Sequence, residues 1–266
     1  MSSYSPFQLA VKYCGHYLFS ANGKGHGTHS PFVYDFIRNV LNDKKAVEVY
    51  PKIESLRKRL LRSNALVEVQ DLGAGATTRP SSRRVASIAA RSAKPPRLAQ
   101  LLFRIARYYQ SRYILELGAS LGISTAYLAS ADPHSVVVTG EGSGNIASLA
   151  MDHFKELGLT NIRMTIGNFD DTLPAMAGML PAIDMAFIDG NHREAPTLRY
   201  FSQLLPRMSE SSIMIFDDIH WSKEMESAWM RIKDHPSVMT TVDIFFMGII
   251  FFRPEFKAKQ HFTIRY

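Results

Sequence analysis

Tyr113-Ile114-Leu115-Glu116-Leu117-Gly118-Ala119-Ser120-Leu121-Gly122-Ile123-Ser124-Thr125 decides the fold. An apolar run reads as a strand, contains an acid near its end, turns through two glycines four residues apart and enters a helix. Gly118 and Gly122 let the backbone approach a ligand with no Cβ in the way, and Ser124 or Thr125 is placed to cap the helix. This is the pattern of a cofactor-binding βα turn. Its spacing, E-x-G-x-x-x-G, puts Ser120 where the dinucleotide fingerprint G-x-G-x-x-G has its middle glycine, so no pyrophosphate is expected and an oxidoreductase ranks behind other readings.

Downstream, helix 124–132 leads to the strand Ser135-Val136-Val137-Val138-Thr139-Gly140, which ends in Glu141. An acid one βα unit beyond the glycine turn is suited to accepting from the two vicinal hydroxyls of a ribose. The alternation continues with helix 146–157, strand 161–166 and the turn Gly167-Asn168-Phe169-Asp170-Asp171. Strand 184–188 ends in Asp189-Gly190-Asn191-His192, and helix 195–204 precedes strand 212–216, which ends in Asp217-Asp218-Ile219-His220-Trp221. Helix 222–233 is followed by two closing strands, 238–245 and 247–253, linked by Gly248. Alternating strands and helices imply a doubly wound α/β sheet, whose ligands sit beyond the carboxyl ends of the strands, where these acids and histidines fall.

The glycine turn resembles motif I of the class I S-adenosylmethionine-dependent methyltransferases, in which it lies under the methionine part of the cofactor. The resemblance implies a Rossmann-like seven-stranded sheet with an antiparallel terminal hairpin. It also implies cofactor contacts from Glu116, Gly118, Ala119, Ser120 and Gly122, with Glu141 and Gly142 at the ribose. Asn168 and Phe169 then belong to the adenine, and Asp189 to the cofactor side of the site. The pairing of F-I-D-G-x-H with F-D-D-I-H resembles a branch near the catechol-type O-methyltransferases. In its metal-dependent members three oxygen side chains at these strand ends hold Mg²⁺, which binds the substrate hydroxyls and lowers their pKa. Asp189, Asp217 and Asp218 match those positions, Asp218 standing where the catechol enzymes have asparagine. The catalytic candidates are therefore Asp189, His192, Asp217 and His220, with His192 or His220 as the alternative general base. The structural alternatives are that Asp189 holds a loop, Asp217 caps the next helix and the histidines satisfy loop backbone.

A second glycine-rich stretch, Asp71-Leu72-Gly73-Ala74-Gly75 after Ala65 to Gln70, imitates the motif but fails on context. Loop residues with Pro80 follow it, and no acid occurs between Asp71 and Glu116. It reads as a structured loop or short strand. Residues 72–115 carry nine basic side chains (Arg79, Arg83, Arg84, Arg91, Lys94, Arg97, Arg104, Arg107 and Arg112) and no acid. Set against a chain total of +7, this segment leaves the remainder at −2. It is either a solvated face or an attractor for an anionic acceptor or nucleic acid, though no RNA-binding motif accompanies it.

Helices are expected over 5–18, 31–41 and 51–62, the second with Ser30 as N-cap and Pro31 at the first helical position. His26 and His29, in the preceding glycine-rich loop, with His16 nearby, could be metal ligands or pocket residues, and suit substrate or cofactor contact better than a metal. The domain reading is an N-terminal helical extension over 1–95, for substrate selection or dimerisation, and a methyltransferase domain over 96–266. A single cysteine, Cys14, excludes an intramolecular disulfide. No apolar run is long enough to span a bilayer, and Ile244 to Phe252 fits a buried hairpin. The expectation is a cytoplasmic enzyme that methylates an oxygen of a small molecule, with S-adenosylmethionine, Mg²⁺ where a metal assists, and a homodimer by habit of related enzymes. The alternatives are a methyltransferase acting on RNA or protein through the basic segment, and a non-catalytic scaffold.

Overall fold

The computed structural model describes residues 3–25, 30–69, 81–253 and 255–266. The loop histidines His26 and His29, the imitation motif Asp71–Gly75 and Arg79 lie outside the described residues. The chain divides into two compact units, Lys44–Pro181 and the combination of Met1–Asp43 with Ala182–Tyr266. It begins in the second of these with α1 (Pro6–Phe19) and α2 (Pro31–Phe36), the latter running on into a π-helical turn over Ile37–Leu41. It passes through the first unit as α3 (Val49–Leu60), β1 (Leu66–Val69), β2 (Ser81–Arg84), α4 (Val85–Ser92), α5 (Pro96–Tyr108), β3 (Tyr113–Leu117) and α6 (Ile123–Ala129). There follow β4 (Val136–Glu141), α7 (Gly144–Glu156), β5 (Ile162–Ile166) and α8 (Phe169–Gly178). It then returns as β6 (Ile183–Ile188), α9 (Glu194–Leu204), β7 (Met208–Asp217), α10 (Lys223–Asp234), β8 (Thr240–Asp243), β9 (Met247–Phe251) and β10 (Gln260–Thr263).

In the unit Lys44–Pro181, β3, β4 and β5 pair in parallel, with Leu115 opposite Val138 and Val138 opposite Arg163. Parallel strands need crossover helices, and α6 and α7 supply them. Apolar residues from α3, α4, α5 and α6 share one core, including Ile53, Leu56, Ile88, Phe103 and Tyr127. Tyr50 meets Phe103 and Tyr127 edge to face, with ring centroids 5.1 and 5.6 Å away. The buried Tyr127 hydroxyl donates to Glu54 at 2.8 Å, and Arg57 closes the other side of that carboxylate at 2.9 Å. Leu66–Val69, ahead of the imitation motif, forms β1, antiparallel to β2.

In the other unit, β6 and β7 are parallel, β9 runs antiparallel between β7 and β8, and β10 pairs in parallel with β8. The five parallel units and antiparallel hairpin expected from the alternation are present. The last strand, β10, is an addition, so the strands of the main sheet type number eight rather than seven. Ser30 caps α2 as expected, accepting from the Val33 N–H at 3.4 Å. Among the described residues no helix is long and apolar enough to cross a membrane. Helix α8, read in the sequence only as a turn, carries Pro174 inside it.

Gly248 does not link the closing strands. It lies within β9, and the turn is made at 244–246, where Phe245 has φ +73° and its N–H donates to the Asp243 side chain at 2.8 Å. The reason for glycine at 248 is packing: a Cβ there would lie 2.6 to 2.8 Å from three atoms of the Trp229 indole. Trp229 is buried, so it has nowhere to move. Gly248→Ala is expected to lower stability by about 1–3 kcal/mol through overpacking, read as a drop in the urea midpoint at unchanged slope. An unchanged midpoint would show that the indole yields.

Candidate active site

In the unit Lys44–Pro181 the carboxyl ends of β3, β4 and β5 lie side by side, and Gly118 to Gly122, Glu141 and Gly142, and Asn168 and Phe169 lie at them. Gly118, Ser120 and Gly122 have φ of +100°, +46° and +84°, so the turn is left-handed at every second residue. The Gly118 and Ala119 N–H groups both donate to the Gly140 carbonyl, at 3.0 and 2.9 Å, fastening the turn to the end of β4. Glu141 closes the arrangement. One carboxylate oxygen accepts from the Ser120 N–H at 2.9 Å, and the other from the Ser143 N–H at 2.9 Å, where α7 begins. The Gly167 N–H donates to the Glu141 carbonyl at 3.0 Å, which brings the β5 turn alongside. There Asn168 caps α8, accepting from the Asp170 N–H at 3.1 Å. The Phe169 ring packs so close to Gly140 that a Cβ on that glycine would lie 3.1 Å from it.

Residues of the motif also do structural work that the sequence reading did not assign to them. A Cβ on Gly122 would lie 2.5 Å from the Phe154 ring, so the close approach this glycine permits is that of α7. Neither Ser124 nor Thr125 caps α6, whose N-cap is Gly122 itself. The Thr125 hydroxyl instead donates to Glu116 at 2.5 Å, and Thr139, opposite Glu116 in the strand register, donates to the same oxygen at 2.6 Å. Glu116 is wholly buried and so braces the turn from beneath. Ser92, at the end of α4, gives its hydroxyl proton to the Ile88 carbonyl at 2.9 Å and accepts from Ser120 at 2.7 Å. The supporting roles of Thr125, Thr139 and Ser92 were missed in the sequence. A threonine in the βα helix and another in the neighbouring strand at matching register were the available signal for the first two, and Ser92 had none.

The other group of candidates belongs to the second unit. The β6/β7 register aligns Ile188 with Phe216, so Asp189 and Asp217 leave adjacent parallel strands side by side. His192 Nε2 lies 3.5 Å from Asp189 Oδ1, and donor atoms of Asp189, His192 and Asp217 all fall within 4.8 Å of one another. Asp217 is almost completely buried. Asp218 is not part of this group. Its backbone, at φ +53°, turns the chain away and donates to the Phe246 carbonyl at 2.7 Å. Asp217 does not cap α10 either, since Ser222 does so by accepting from the Met225 N–H at 3.2 Å.

His220 is not placed as a free base. Its ring nitrogens face Asp243 at 2.9 Å and Glu226 at 3.1 Å. Burial alone would depress its pKa, but these two carboxylates outweigh burial and raise it. With a carboxylate at each ring nitrogen, His220 turns neither of them toward a substrate. The described basic side chains of the 72–115 segment are spread over β2, α4, α5 and the loop before β3, with Arg83, Arg84, Arg91, Arg97, Arg107 and Arg112 exposed. The opposite face of α5 buries Leu98, Leu101, Leu102 and Ile105.

Residues 115–219, from the middle of β3 to the loop after β7, match the family model described as a methyltransferase domain. This stretch is similar to a methyltransferase domain. A catechol O-methyltransferase of Mycobacterium tuberculosis (strain ATCC 25618 / H37Rv) is 28% identical to the chain over 136 residues, 48% of this chain and 60% of that protein. A catechol O-methyltransferase of Niastella koreensis is 30% identical over 128 residues, 47% of this chain and 57% of that one. The chain thus spans about three-fifths of the length of these curated relatives. The SAH-bound methyltransferase of Podospora anserina superposes with a TM-score of 0.59 at 13% identity, covering 84% of this chain and 97% of that one, a likeness of fold.

The brace beneath the methyltransferase turn is open to test. Thr139→Val keeps the shape of the side chain but removes one of the two hydroxyls that donate to a buried carboxylate. The expected cost is about 1–3 kcal/mol, measured by urea unfolding, and Thr125→Val added to it should cost less than the sum of the two. Additive effects would mean that the threonines do not act on one acceptor.

Proposed function

We propose that this chain transfers the methyl group of S-adenosylmethionine to an oxygen of a small-molecule acceptor. The observation that carries the reading is the clamp of Glu141 on Ser120, within a turn left-handed at three positions and fastened to the carboxyl end of β4. Such a turn presents bare backbone to a ligand, and the carboxylate that fixes it stands where a ribose diol can donate to it. The family match and the two catechol O-methyltransferase relatives support the same reading. When bound, the cofactor supplies an electrophilic methyl group on a sulfonium. The protein's part is to bind it through Gly118 to Gly122, Glu141, Gly142, Asn168 and Phe169, and to generate and aim the acceptor oxygen.

Asp189, His192 and Asp217 fit that second task in two ways. Two carboxylates and an imidazole with donor atoms within 4.8 Å of one another match a single divalent ion. The presence of nitrogen favours Mn²⁺, Fe²⁺ or Zn²⁺ over Mg²⁺, which prefers an all-oxygen shell. Such an ion supplies Lewis acidity toward the acceptor hydroxyl. Without an ion, Asp189 orients His192, whose imidazole takes the hydroxyl proton as general base. The exposed basic side chains of β2, α4 and α5 suit an acceptor that carries negative charge.

Calorimetric titration with S-adenosylmethionine and S-adenosylhomocysteine tests the reading. The wild-type protein is expected to bind both, and Glu141→Ala to weaken binding at least about tenfold, the value of roughly one charge-assisted hydrogen bond. Asp217→Asn should leave the cofactor affinity unchanged while turnover of a catechol acceptor falls about 100-fold. Well-folded wild-type protein that binds neither compound would leave a scaffold with this fold.

A further inference from the structure

We propose that His16, His220 and Asp243 form a second metal site, for a divalent transition ion such as Zn²⁺, which fastens α1 to the loop after β7. The site is separate from Asp189, His192 and Asp217, and its three donor atoms also lie within 4.8 Å of one another.

The orientation of the two imidazoles carries the argument. His16 Nε2 is 3.3 Å from the Ile264 carbonyl, which can only accept, so that nitrogen bears the hydrogen. In the neutral ring Nδ1 is then a lone pair, and it faces Asp243 Oδ1 at 3.7 Å, beyond hydrogen-bond range. His220 is arranged in the same way: Nδ1 faces the Glu226 carboxylate at 3.1 Å and Nε2 faces Asp243 Oδ2 at 2.9 Å. Each ring therefore gives one nitrogen to an outside acceptor and turns the other toward the same carboxylate. Metal-binding histidines are oriented in this manner, one nitrogen on the ion and the other donating to a carbonyl or carboxylate.

The surroundings are equally fixed. Asp243 accepts from the Phe245 N–H at 2.8 Å, and Glu226 accepts from the Tyr4 hydroxyl at 2.7 Å and from Lys12 at 2.9 Å. The Phe245 ring stacks on His220 with centroids 5.1 Å apart and meets His16 edge-on at 5.4 Å, giving the group an apolar wall. Ligand atoms on a tetrahedral ion with bonds of about 2.0–2.1 Å lie about 3.3–3.4 Å apart. His220 Nε2 and His16 Nδ1 lie 2.9 and 3.7 Å from the two oxygens of the Asp243 carboxylate, so both imidazoles are within small side-chain shifts of such a spacing. Two imidazoles and one carboxylate select Zn²⁺, Co²⁺ or Fe²⁺ over Mg²⁺ and Ca²⁺, with a position left for water.

Such a site meets a structural need, because α1 contains no buried residue. Its Phe7, Val11 and Leu18 are 77, 57 and 68% exposed, so apolar burial does little to hold the helix. What ties it to its unit is Lys12 and the nearby Tyr4 on Glu226, His16 beside Asp243, and the Tyr13 ring against Phe245 and Phe246. An ion drawn from α1, the loop after β7 and the end of β8 would join these segments directly.

The experiment is calorimetric titration of the chelator-treated full chain with Zn²⁺, repeated with Co²⁺ while recording its visible absorption. Wild type should take up an equivalent with the intense bands of four-coordinate cobalt, apart from any ion held by Asp189, His192 and Asp217. His16→Gln and His220→Gln should each weaken that equivalent at least about tenfold, with helix content unchanged, whereas Asp189→Asn and His192→Gln should leave it. Zn²⁺ should also slow amide exchange across α1 in wild type and not in His16→Gln. The proposal is overturned if folded wild type binds no Zn²⁺, if the bound equivalent is lost only with Asp189→Asn or His192→Gln, or if both other histidine variants bind as wild type does. Should His220→Gln not fold, His16→Gln alone decides, since it alters a helix that buries no residue.

Discussion

A carboxylate sealed from water must be hydrogen-bonded, and the cofactor half of this protein is built around one that is. Glu116 accepts from Thr125 in the helix after the glycine turn and from Thr139 in the neighbouring strand. Its charge-assisted bonds thereby tie β3, α6 and β4 at the level where the turn begins. The turn needs such a brace because it is left-handed at Gly118, Ser120 and Gly122, and Ser120 is a residue for which that conformation is costly. Glu141 then acts from the side, holding the strained Ser120 by its N–H. One acid below and one beside the backbone fix a geometry that the sequence of the turn alone would not hold.

The opposite logic shapes Asp189 and Asp217. They are brought side by side by the strand register of β6 and β7. Carboxylates brought side by side repel one another and favour a cation or a shared proton. His192, 3.5 Å from Asp189, supplies a group that suits either outcome.

Most of the fold was legible because its signals are local. Valine-rich runs, glycines after strands and acids at strand ends give the βα alternation directly, and element limits fell within a few residues. What escaped depended on distant partners. Gly248 reads as a linker in the sequence, and only the Trp229 indole lying on it shows why it sits inside a strand. Thr125 reads as a cap, and only the burial of Glu116 explains where its hydroxyl points. His220 and His192 follow similar Asp-containing motifs and look equivalent, yet Asp243, 23 residues beyond His220, claims the former. Asp218 follows Asp217 directly, but a left-handed backbone turns it out of the group that Asp217 joins.

These acids differ in the donors that satisfy them, and the difference separates structure from chemistry. Threonine hydroxyls and backbone N–H groups do not titrate and cannot move to another acceptor, so Glu116 and the turn-facing oxygens of Glu141 are permanent fixtures. Asp243 is satisfied by the Phe245 N–H, which is likewise fixed, and by His220, which is not. A proton shared between imidazole and carboxylate exchanges for a divalent ion at the same atoms, because both are bound by the same lone pairs. A buried acid whose partners are histidines, each anchored on its far nitrogen, therefore keeps an option that a threonine-bound acid lacks. In this chain that option falls on Asp243, beside His16 of α1, a helix with no buried residue.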